Sequence, residues 1–85
     1  MTVTSQQKAK LKAIKTVSSP IVDEVRAILK SGICSSGLSG AYIQFKMDLE
    51  LYGLWEALLY VQDYEPIQYT PGTAQKALDK ALSMI

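Results

Sequence analysis

Residues 41–64 read AYIQFKMDLELYGLWEALLYVQDY, and this stretch decides the fold because it fits two kinds of secondary structure. From Ile43 to Leu51 apolar residues alternate with polar ones, which is typical of a β-strand. The same stretch also carries apolar residues at steps of three or four, which is typical of one face of a helix. This helical series consists of Ile43, Met47, Leu51, Leu54, Leu58 and Val61.

Residue preferences favour the helix. Positions 46–59 consist mostly of Met, Leu, Glu and Ala and contain no β-branched residue, a composition that suits a helix better than a strand. Gly53 costs such a helix about 1 kcal/mol relative to alanine and indicates a kink or the close approach of another helix. We therefore predict one long helix over residues 39–64. The alternative is a β-hairpin formed by residues 42–65, which would make the fold α+β.

The rest of the chain carries signals for shorter helices. A capping-box pattern at Thr4 predicts a helix over residues 4–17. Pro20 suits the first position of a second helix, over residues 20–31, and Thr73 suits the cap of a short final one.

A loop rich in glycine and serine, residues 31–40, precedes the long helix. Together these segments predict an all-α fold, a small helical bundle of about four helices with a long central third helix. At 85 residues we expect the chain to form a single helical domain, residues 1–85.

Composition excludes several kinds of chemistry. The chain has no histidine and a single cysteine, Cys34, so one copy cannot build a Cys/His zinc site, a His-ligated haem or a Ser-His or Cys-His catalytic pair. We therefore predict no enzymatic activity, no catalytic residue, no metal and no cofactor. The lone thiol and the lack of an apolar run of about 18 residues predict a cytoplasmic protein without membrane contact.

Aromatic and acidic residues are concentrated in the middle of the chain. All seven aromatic residues lie within residues 42–69, and residues 41–69 carry a net charge of −4 against +4 for residues 1–40. Tyrosine and tryptophan are enriched at protein interfaces, although they also fill cores. The predicted partner-binding residues are Tyr52, Trp55, Glu56, Leu58, Leu59, Tyr60, Asp63 and Tyr64.

These features predict a non-enzymatic protein–protein interaction module, either a small adaptor or inhibitor or a structural subunit of an assembly. The mean hydropathy of +0.08 is high for a chain whose core is marginal at this size, so we expect a second chain to cover part of the apolar surface. That chain is a protein partner, a second copy in a homo-oligomer, or both. The opposite charges of the two halves are compatible with self-association.

The alternative function is a nucleic-acid-associated regulator. It uses Lys8, Lys12 and Lys15, which the predicted first helix places on one face where they could contact nucleic acid or another anion. Lysines without arginine or aromatic neighbours make a weak nucleic-acid footprint. A solvated helix face is the simpler interpretation, and nucleic acid is not the partner that we expect.

Overall fold

The computed structural model describes residues 3–34 and 40–85. Five helices follow one another in these residues: α1 (Ser5–Ala13), α2 (Pro20–Gly32), α3 (Ala41–Tyr52), α4 (Leu54–Gln68) and α5 (Thr73–Ser83). The all-α class is confirmed. The alternative hairpin over residues 42–65 is wrong, because α3 and α4 occupy that stretch.

The capping box at Thr4 is confirmed, but α1 ends earlier than predicted. Thr4 Oγ1 accepts a hydrogen bond from the Gln7 amide at 3.1 Å, and Gln7 Oε1 accepts one from the Thr4 amide at 2.9 Å. The helix stops at Ala13 because Ile14 is extended, with φ −85° and ψ 109°. The Ile14 carbonyl then accepts a hydrogen bond from the Leu54 amide at 2.8 Å, which ties the end of α1 to the start of α4.

The long helix predicted over residues 39–64 is two helices, α3 and α4, broken at Gly53. Gly53 has φ 94° and ψ 169°, a conformation that is essentially restricted to glycine. A Cβ atom at Gly53 would also overlap the backbone carbonyl of Lys12. The glycine therefore breaks the helix and also admits the backbone of α1.

The helices α3 and α4 form an antiparallel hairpin. Near the Gly53 break, the rings of Tyr52 and Tyr60 lie 5.9 Å apart. At the opposite end, the buried Tyr69 hydroxyl donates to the Ala41 carbonyl at 3.3 Å.

The helices α2 and α5, which are far apart in sequence, pack against each other. A Cβ atom at Gly32 would overlap the hydroxyl and methyl groups of Thr73, so the contact is close. The N-terminus of α5 is capped from α4, since Glu65 Oε1 accepts from the Ala74 amide at 2.9 Å. The capping position is Gly72 rather than the predicted Thr73.

The core joins residues from all five helices. It contains Leu11, Val22, Val25, Leu29, Ala41, Phe45, Leu49, Leu54, Ala57, Leu58, Val61, Tyr69, Ala74, Ala77, Ala81 and Leu82. Residues 35–39 of the predicted loop over residues 31–40 lie outside the described residues. Of the described helices, none combines the length and the apolar character that crossing a membrane requires.

Candidate functional site

The helix α3 has two apolar faces. Phe45 and Leu49 are buried in the core, whereas Ile43, Met47 and Leu51 are 61%, 52% and 62% exposed. Consecutive helical residues are about 100° apart around the axis, so apolar residues at every second position fall alternately on opposite sides. The strand-like alternation in the sequence therefore produces a helix with an inner and an outer apolar face. We call Ile43, Met47 and Leu51 the outer stripe.

Charged residues border the outer stripe along one edge. Lys46 and Glu50 are exposed and lie one helical turn apart, each three residues after a member of the stripe. The Lys46 ammonium lies 5.7 Å from the centre of the Tyr42 ring, and the Arg26 guanidinium lies 5.1 Å from the same ring.

The outer stripe exposes a larger apolar area than a single surface leucine. The three side chains expose an apolar area on the order of 300 Å², within the range of patches that are often functional in monomeric proteins. Tyr52, at the end of α3, is also about half exposed. The helix packs chiefly against α4, so the rest of the described chain leaves this face uncovered.

The predicted partner-binding residues differ in their accessibility. Tyr52, Leu59 and Asp63 are exposed, and Trp55, Glu56, Tyr60 and Tyr64 are partly buried. Leu58 is only 4% exposed and belongs to the core, because it shares the inward side of α4 with Leu54, Ala57 and Val61. Its side chain is therefore not available to a partner.

Two of the three lysines of the alternative function lie against aromatic or acidic residues of the same chain. The Lys8 ammonium lies 5.3 Å from the centre of the Trp55 ring, and Lys12 Nζ lies 4.0 Å from Glu56 Oε1. Lys15 lies beyond the end of α1. The prediction that the three lysines share one helix face is therefore wrong. Part of the positive charge of residues 1–40 is thus paired with the negative charge of residues 41–69 within one molecule.

Two surface depressions have the concave shape of a small-molecule site. A cleft between α4 and α5, beside Trp55 and Leu78, holds only about 70 Å³, well below the ~300 Å³ of a typical ligand pocket. A more open depression of about 490 Å³ lies beside α2. Its Arg26 already contacts the Tyr42 ring and lies 3.8 Å from Asp23. Within the described residues, no three potential metal-ligating side chains come together.

The helix α3 also carries a buried carboxyl group. Asp48 is 5% exposed, and its Oδ1 accepts a hydrogen bond from Gln44 Nε2 at 3.0 Å. Burial raises the pKa of Asp48, and the Gln44 hydrogen bond only partly opposes this effect. The fold therefore favours the protonated carboxyl, and this contribution to stability is lost as the pH rises through the pKa of folded Asp48.

We expect Asp48→Asn to increase the free energy of unfolding at pH 7 by about 1 kcal/mol, because it removes a poorly solvated charge and keeps a partner for Gln44. The gain should shrink as the pH falls toward the ordinary aspartate pKa, where the parent carboxyl is also neutral. Urea unfolding at pH 7 and near pH 3.5 measures this, with Asp63→Asn as the exposed control. A loss of stability at pH 7 would show that the carboxylate makes favourable contacts.

Comparison of the chain with protein-family models, with curated proteins and with solved structures finds no match. The functional proposal therefore depends on the geometry of the surface. The sequence predicted an aromatic, acidic contact surface in residues 42–69, but the partner-binding residues that it named lie between Tyr52 and Tyr64 and do not include the outer stripe. The signal was present in the four-residue spacing of Ile43, Met47 and Leu51, but the pattern alone did not indicate which side of the helix the rest of the chain covers.

Proposed function

We propose that this chain is a non-enzymatic protein–protein interaction module that binds its partner through the outer stripe of α3. The observation that carries the proposal is the exposure of Ile43, Met47 and Leu51 on a helix whose opposite face already fills the core. A helix with apolar residues on two opposite faces normally packs through both of them, because a surface helix of a monomer carries only one apolar stripe. Covering each of these half-exposed side chains would contribute roughly 1 kcal/mol.

The outer stripe suits a helical partner. Residues spaced by four form a ridge along a helix, and such ridges pack into the matching grooves of another helix. Met47, at the centre, has a flexible side chain that adapts to the surface it meets. The edge formed by Lys46 and Glu50 carries one charge of each sign, so it supports orientation of the partner rather than attraction to a strongly charged surface.

Two of the predicted partner-binding residues, Tyr52 and Tyr60, lie at the margin of this surface. Tyr52 lies at the end of α3 and contacts Tyr60 of α4, so an interface centred on the outer stripe can extend to both rings.

The nucleic-acid alternative has less support, because Lys8 and Lys12 already face Trp55 and Glu56 of the same chain.

Selection of binding peptides, followed by mapping of their contacts by NMR, tests the proposal. We expect peptides selected from a random display library to shift the amide resonances of α3 around the outer stripe. Met47→Lys should weaken their binding at least ~10-fold, because it places a charge at the centre of an apolar contact. Met84→Lys is the matched control, since Met84 is exposed beyond the end of α5. Peptides that map elsewhere and bind the Met47→Lys protein equally well would contradict the proposal.

A further inference from the structure

We infer that the outer stripe is the interface between two copies of this chain, related by a twofold axis at Met47 with their α3 helices antiparallel. The inference rests on the proposed function, since it names the partner that covers the same surface. Three properties of α3 support a second copy: the symmetry of the outer stripe, the order of charges along its edge, and its area.

The outer stripe is symmetric about its centre. Ile43 and Leu51 each lie four residues from Met47, which is about 6 Å along the helix axis on either side. A twofold axis through Met47 places Ile43 of one copy against Leu51 of the other and the two methionines against each other. A twofold interface must be complementary to itself, and this arrangement of three apolar side chains fulfils that condition.

The charged edge is complementary to itself in the same orientation. The twofold axis keeps the edge with Lys46 and Glu50 on one side of the interface and reverses its direction. At about 1.5 Å per residue, Lys46 of each copy lies about 3 Å along the axis from both Lys46 and Glu50 of the other copy. Around the helix Glu50 is nearer to Met47 than Lys46 is, at about 60° against about 100°, so the two Lys46–Glu50 pairs are the closer contacts. A parallel arrangement would instead place both charges toward the edge that carries Gln44 and Asp48, where Glu50 has no cationic partner and the only acidic group is the buried Asp48. The net charge of +1 adds little long-range repulsion between copies.

The available area fits a weak dimer. The outer stripe, its charged edge and the exposed part of Tyr52 amount to roughly 500–600 Å² per copy, so two copies bury about 1,000–1,200 Å², near the lower limit for a specific interface. We therefore expect a dissociation constant in the range of about 1–100 μM rather than a permanent dimer.

Analytical ultracentrifugation from about 1 μM to 1 mM measures the association, a range chosen to span the expected constant. The mass should rise from 9.4 kDa toward twice that value. Met47→Lys should weaken association at least ~100-fold, because the twofold axis brings the two introduced lysines together. Met84→Lys should dimerise like the parent. Circular dichroism confirms that each variant is folded.

A charge exchange tests the orientation. In a mixture of Lys46→Glu and Glu50→Lys chains, the antiparallel arrangement gives opposite charges at both edge contacts, whereas each variant alone has like charges there. We expect the mixed dimer to be at least ~5-fold tighter than either variant alone. A mixture that associates no better than its components would overturn the antiparallel assignment.

The outcomes separate this inference from the proposed function. A chain that stays monomeric at 1 mM while selected peptides still map to α3 would overturn the second copy and leave the interaction module in place. A dimer that Met47→Lys does not weaken would also overturn the inference. A monomer whose peptides map elsewhere would overturn both.

Discussion

Gly53→Ala is expected to lower the free energy of unfolding by about 2–6 kcal/mol, a large share of the stability of a domain of this size. Two effects add at this residue. The backbone conformation, φ 94° and ψ 169°, strains any residue with a Cβ atom by about 1–3 kcal/mol. The new methyl group also overlaps the Lys12 carbonyl, and relieving such overpacking typically costs about 1–3 kcal/mol more.

Gly72→Ala is the matched control for this prediction. Gly72 also has a positive φ, 90°, but a Cβ atom there meets nothing within 4 Å. Gly72 lies in the left-handed helical region, with φ 90° and ψ −8°, so the control measures the strain of a positive φ without any overlap, with an expected loss of about 1–2 kcal/mol. Urea unfolding followed by circular dichroism compares the two variants. Equal losses would contradict the added cost of overlap with the Lys12 carbonyl.

Tyr69→Ala is expected to cost about 3–5 kcal/mol, comparable to removing other large aromatic residues from a core. Tyr69 is buried, and its hydroxyl donates to the Ala41 carbonyl at the end of the α3–α4 hairpin. Tyr69→Phe keeps the ring and removes only this hydrogen bond, so we expect a loss of about 1 kcal/mol. Chemical unfolding of both variants measures the two losses. If Tyr69→Phe is as unstable as Tyr69→Ala, most of the stabilisation comes from the hydrogen bond of the hydroxyl, and the prediction is wrong.

Because of the same Tyr69 hydroxyl, we also expect the protein to lose stability in alkali. Burial and, after it, the charge of Asp48 raise the pKa of Tyr69 to about 12, from an ordinary value near 10. The fold therefore favours the neutral phenol, and this contribution is complete below pH ~10 and is lost as the pH rises toward ~12. The loss reaches about 2–3 kcal/mol.

Absorbance at the phenolate band and unfolding curves between neutral pH and pH ~12 test this prediction. The parent should lose more stability than Tyr69→Phe over the alkaline part of this range. If Tyr69 ionises near pH 10 in the folded protein, the burial effect is absent and the prediction is wrong.

Local residue preference predicted the fold class but not the helix boundaries. The lack of β-branched residues over positions 46–59 correctly favoured helix over strand. Gly53 was predicted to mark a kink or the close approach of another helix, and the structure shows both a break in the helix and the close approach of α1. The close approach at this break is made by the Lys12 carbonyl, which belongs to a distant part of the sequence. The early end of α1 likewise depends on the bond between Ile14 and Leu54.

The candidate site shows a different limit of sequence reasoning. The concentration of aromatic and acidic residues favoured the α3–α4 region as a contact surface but could not assign faces, because faces depend on which sides the other helices cover. Leu58 and Leu59 are adjacent in sequence, yet one is buried and the other exposed. The outer stripe belongs to the same apolar series as Leu54 and Val61, and only the break at Gly53 turns its residues away from the core.

The packing of α2 against α5 has a consequence for how the chain acquires its structure. The two helices are joined by the whole α3–α4 hairpin, so their contact closes a loop of about 40 residues, and closing such a loop costs entropy before any contact offsets it. The hairpin, whose contacts are local, can form first and bring the two helices together. During synthesis α2 has no main packing partner until α5 has been made, so completion of the core is a late and cooperative step.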